Sequence, residues 1–193
     1  MTRFNRTQFA QAHDRFTQLA MENYLNDGYI QPVLITFRKD GGYHVFMVLH
    51  PDAVDSPMTQ KARRNGIGVL RAPLRDHLAE VKGVLATAET VACVLVNEVW
   101  TAFGDVAQAV MATPDKSIGD HPGHGEAIAV TGIWPRELYS RTKHIPITRT
   151  ETGAGVLGEP EDLTALYRDR GTVVEEVSWL ADMLPQPYGH RTP

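Results

Sequence analysis

The chain has 193 residues, a net charge of −4 with histidine neutral, and 42% hydrophobic and 22% charged residues. That balance excludes a wholly disordered chain and suits one domain able to bury a core without covalent staples. The acidic surplus speaks against a general nucleic-acid binder, which needs excess positive charge to displace counterions.

A single cysteine, Cys93, leaves no partner for an intramolecular disulfide. Met1 to Ala10 lacks the apolar core of a signal peptide, and no apolar run approaches the length of a membrane span. The expected location is therefore the cytoplasm.

The first predicted element is a helix. Phe9, Ala12, Phe16, Leu19 and Asn23–Tyr24 recur at three- and four-residue spacing, with Thr7 as the expected cap and Asn26–Asp27–Gly28 as the stop. Residues 30–38 and 43–50 then alternate as strands. Val33, Ile35 and Phe37 fall on one side of the first, and Leu34 and Thr36 on the other. Lys39–Asp40–Gly41–Gly42 between them has the chemistry of a hairpin turn. A short helix is expected from Ser56–Pro57 to Asn65–Gly66. A longer one carries Leu74, Leu78, Val81 and Leu85, with Pro73 in its first turn.

Thr90–Val91–Ala92–Cys93–Val94–Leu95–Val96 is apolar on both faces, which marks a central strand. A long polar connection spans 104–125. Strands 126–134 and 138–148 follow, and Pro146 puts the second at a sheet edge. Residues 161–167 and 173–184 read as helices. The expected architecture is a single α+β domain over 1–184, a mainly antiparallel sheet of about five strands with helices on one face. Residues 185–193 are expected to form a flexible tail.

Two places draw chemical interest. His121–Pro122–Gly123–His124–Gly125–Glu126 sets two imidazoles and a carboxylate within six residues, donor types that suit zinc or manganese. Asp120 adds a further acceptor. Glu98 lies near the end of the most buried strand, where an unpaired carboxylate acquires the character of a general base, whereas a paired one is structural.

Other motifs read as structure. Gly153 to Gly158 spells G-x-G-x-x-G, but too little chain follows for a strand–helix–strand unit, so it reads as a glycine-rich turn. Lys61, Arg63, Arg64, Arg71 and Arg75 lack interleaved aromatics and read as a solvated face. Cys93, flanked by apolar residues, reads as a small hydrophobe.

Asn97–Glu98–Val99–Trp100, His121–Pro122 and Glu126, within residues 90–150, resemble a pattern in small bacterial and phage proteins of unknown function. Gly123 and His124 stand where that pattern more often has Asp and Arg. The resemblance implies a bacterial or phage origin and names no catalytic residue.

Two functions follow. The favoured one is a non-catalytic binding or interaction domain, pairing with a second copy or with another protein through the edge at 138–148 and needing no cofactor. The alternative is a metal-dependent hydrolase. There His121 and His124 hold a divalent ion, Glu126 or Asp120 completes the set, and Glu98 is the general base.

Overall fold

A computed structural model describes residues 4–113, 115–137, 139–163 and 183–184. The first element is helix α1 (Arg6–Asp27). Its start is a capping box in which Asn5 and Gln8 satisfy each other's backbone N–H, and Gly28, at φ 77°, closes its end. The cap is thus Asn5 and not Thr7.

The hairpin forms as expected, with β1 (Val33–Arg38) antiparallel to β2 (Tyr43–Leu49). Helix α2 (Pro57–Arg64), capped by Ser56, leads into a strand absent from the sequence reading, β3 (Gly68–Arg71). This strand lies parallel to β2, Phe46 opposite Gly68 and Leu49 opposite Arg71. The second predicted helix begins later than Pro73, as α3 (Leu78–Thr87). Strand β4 (Thr90–Thr101) sits at the centre of the sheet, as its two apolar faces require.

The connection that follows is more ordered than its polarity suggested. It holds α4 (Gly104–Ala112) and a 3-10 turn at Ile118–Asp120. Strands β5 (Gly125–Trp134) and β6 (Tyr139–Arg149) come next, then the short strands β7 (Gly155–Leu157) and β8 (Glu161–Asp162).

The sheet therefore differs from the one expected. Among the described residues it has eight strands, not five, ordered β3-β2-β1-β4-β5-β6-β7 with β8 also on β6, and it is mixed because β2 and β3 run parallel. Nor are the helices confined to one face. Phe9, Ala20 and Tyr24 of α1 pack with Ile35, Phe37, Val94, Val96, Ile128 and Val130. Val81 and Leu85 of α3 pack with Leu34, Cys93, Leu95 and Ile133, the residues that alternate onto the opposite face.

The expected edge at 138–148 is largely covered. Strand β7 pairs with Ile147–Arg149, and β8 pairs with Lys143 and His144. Pro146 falls in the break between them, where its carbonyl accepts the Gly158 N–H. A strand residue's N–H and C=O point the same way, so the missing proline N–H faces this break and costs no ladder bond.

Residues 161–162 belong to a strand, not to a helix. Residues 164–167, nearly all of 173–184, and the 185–193 tail lie outside the described residues. Met183 and Leu184 are buried in the α3-side core. Among the described residues no helix is long and apolar enough to cross a membrane.

Candidate functional site

Strands β4 and β5 pair antiparallel with Trp100 opposite Glu126 and Glu98 opposite Ile128. Val94 and Val96 point into the α1-side core, so strand alternation carries Glu98 and Trp100 onto the same face, past the end of the apolar run. Glu126 precedes Ile128 on that face of β5. Glu98, Val99, Trp100 and Glu126, with Ser117 and Ile118 from the facing loop, line a cleft of about 480 Å³.

The two carboxylates differ in their partners. Glu126 Oε2 accepts from Arg149 Nε at 2.8 Å and from Arg149 Nη2 at 2.6 Å. Arg149 lies two residues beyond Ile147, the residue opposite Glu126, and therefore on the same face. Its hydrogen bonds to Glu126 push the guanidinium above its ordinary value. Glu98 instead accepts the backbone N–H of Ile30 and has no ion-pair partner among the described residues. One carboxylate is paired with a guanidinium, while the other forms no ion pair among the described residues, although the same guanidinium lies close enough to feel its charge.

Trp100 is 54% exposed, the side of a residue that a binding surface uses. The loop holds it in place. A Cβ on Gly119 would stand 2.9 Å from three atoms of the indole ring, so the Gly119 backbone lies directly against it. The His124 ring meets it nearly edge-on at 6.2 Å between centroids.

Tyr24, at the end of α1, is 1% exposed, and its hydroxyl has no hydrogen-bond partner. Burial raises its pKa, Arg149 opposes the rise, and the charges of Glu98 and Glu126 add to it. The hydroxyl packs on Gly155, where a Cβ would come within 1.9 Å.

The histidine loop does not assemble the metal set predicted for it. His121 is buried, with Nε2 3.1 Å from Thr113 Oγ1. His124 Nδ1 lies 2.9 Å from the His121 carbonyl, which can only accept, so Nδ1 carries the proton. Asp120 Oδ2 accepts the Ser117 N–H at 3.0 Å, and Glu126 is held by Arg149. Each proposed ligand serves the loop or the sheet. Among the described residues no three histidine, cysteine, aspartate or glutamate side chains converge to hold a metal ion. Glu98 instead shares its cleft with Glu126, Trp100 and the loop residues Ser117 and Ile118.

The remaining motifs have structural roles. Burial pushes the Cys93 thiol up to about 12, so it is protonated at neutral pH. Gly153 to Gly158 supplies the β6–β7 turn and β7 itself and leads into β8. Lys61, Arg63 and Arg64 occupy the last turn of α2 with their side chains in solvent, where positive charge complements the helix dipole.

Arg149 was not singled out in the sequence, because its pairing with Glu126 spans 23 positions and depends on strand register. No protein-family model matches the chain, and neither does any curated protein or any solved structure.

Proposed function

We propose that the protein is a non-catalytic binding domain whose ligand presents a cation, an ammonium or guanidinium group, to the cleft between Glu98, Trp100 and Glu126. The observation that carries this reading is that Glu98, which forms no ion pair among the described residues, shares one 480 Å³ cleft with the exposed ring of Trp100. A cation near an indole face gains about 0.5–1 kcal/mol at an exposed site. A carboxylate beside it adds a charge-assisted hydrogen bond.

Calorimetric titration with n-butylguanidinium tests the reading. Binding should be saturable, weaken as salt rises, and fall about tenfold in Glu98→Gln. Glutamine keeps an acceptor for the Ile30 N–H, so the variant removes charge and preserves the fold. Absent binding, or equal affinity in the variant, would rule the proposal out.

A further inference from the structure

Helix α4 is the most anomalous surface of the molecule. Only Asp105 and Gln108 among its nine residues carry polar side chains, yet none of the nine is buried. Met111 is 74% exposed, and Phe103, the residue at its N-cap, is 63% exposed. A nine-residue helix has little stability of its own in water. Its visible side-chain ties to the rest of the fold are Val106, which would stand 3.4 Å from a Cβ on Gly123, and Thr113 at its C-cap, whose Oγ1 meets His121 Nε2. The helix follows β4 after two residues, and its Val106 lies against Gly123, next to His124, whose ring meets that of Trp100 at the cleft. An apolar helix left in water beside a cleft is the arrangement that a docking partner covers.

Charge indicates what kind of partner fits. Glu98 and Glu126 line the cleft, and Asp105, Asp115 and Asp120 lie in the segment that frames it. The basic groups there are Lys116 and Arg149, and Arg149 is already paired with Glu126. The surface is therefore apolar with a negative surplus.

We infer that the cleft and α4 together dock a segment of another protein that carries a lysine or arginine next to apolar side chains. The cation enters beside Glu98 and Trp100, and the apolar residues cover Phe103, Val110 and Met111. This rests on the cleft reading above and extends it from a chemical group to a class of partner. An anionic lipid surface is disfavoured by the acidic frame. The chain's own basic helix, α2, could reach this surface only from a second copy in a head-to-tail contact, which closes into a ring or grows without limit.

The test uses the full chain and a fluorescently labelled synthetic peptide in which leucine and lysine repeat at helical spacing. Its controls are a scrambled peptide of the same composition, a version with glutamate for lysine, and n-butylguanidinium. Anisotropy should show the patterned peptide binding at least about tenfold tighter than n-butylguanidinium, a gain of about 1.4 kcal/mol. The scrambled and glutamate peptides should bind more weakly. The exposed double variant Phe103→Ser/Met111→Ser should lose the gain and keep its affinity for n-butylguanidinium. Glu98→Gln should weaken both ligands.

If n-butylguanidinium binds but the patterned peptide gains nothing, or the double variant retains the gain, this inference falls and the cleft reading stands. If n-butylguanidinium fails to bind the native chain, both fall. Peptide-free self-association abolished by the double variant would assign α4 to a second copy and overturn the inference.

Discussion

Helices α1 and α4 invert the usual link between hydropathy and burial. The sequence of α1 is mostly polar, yet Phe9, His13, Thr17, Ala20 and Tyr24 are buried along it. The sequence of α4 is mostly apolar, yet none of its residues is buried. The difference lies in what each helix finds opposite it. Phe9 meets Phe4, Phe37, Trp134 and Tyr139 within 6.4 Å between ring centroids. Asp14, on the side of α1, reaches Lys143 at 2.7 Å and Arg141 at 3.0 Å on β6. Helix α4 has a thinner bed, with Val106 against Gly123 and Thr113 at its C-cap against His121. Composition supplies the free energy of burial, but the fold decides whether it is realised within the chain.

Three experiments press on this contrast, in order of expected effect. Phe9→Ala should cost about 3–5 kcal/mol in denaturant unfolding, because it empties a fully buried aromatic site. A loss below about 1 kcal/mol would mean that α1 is not anchored as described.

The second concerns His13, which is fully buried on the α1 face. Burial lowers its pKa from 6.5 to about 4, the bond to the Val130 carbonyl opposes the shift, and Arg141, Asp14 and Lys143 exert smaller effects. The unfolded chain then takes up a proton between pH 6.5 and 4 while the folded chain does not. Stability is complete above pH 6.5 and falls by about 3 kcal/mol as the pH drops to 4. Unfolding free energies measured across that window should show the slope in the native chain and lose this contribution in His13→Gln.

The smallest effect is expected at α4. Met111→Ala should change stability by less than about 0.5 kcal/mol, as at an ordinary exposed site. A larger loss would reveal burial of α4 within the chain and remove the contrast.

Much of the fold was legible because local chemistry dictated it. Asp40–Gly41–Gly42 announced the hairpin, and the doubly apolar run 90–96 announced the central strand. The buried stripe of α1 was misread where polar residues are hidden. His13 satisfies Val130 O through Nε2 at 3.0 Å, and Thr17 Oγ1 donates to the His13 carbonyl at 2.9 Å. Neither hydrogen bond leaves a trace in hydropathy, so Ala12, Phe16 and Leu19 were favoured over their neighbours. Strand β3 is four residues long and carries too short a pattern to declare itself.

The candidate site was half visible. Glu98 and Glu126 stood out as carboxylates at strand ends, but their common face, and the capture of Glu126 by Arg149, follow from strand pairing. The two histidines suggested a metal by residue type, whereas among the described residues no three ligand-type side chains converge, and one nitrogen of each ring is hydrogen-bonded within the loop and its flank.

The most direct measurement is the Trp100 indole N–H resonance followed during titration with n-butylguanidinium, with Trp134 of the buried core as the internal reference. The account requires a saturable shift of Trp100, a still Trp134, and a weaker response in Glu98→Gln. A Trp100 signal that does not move, or moves no more than that of Trp134, would contradict the assignment of the cleft as the binding site.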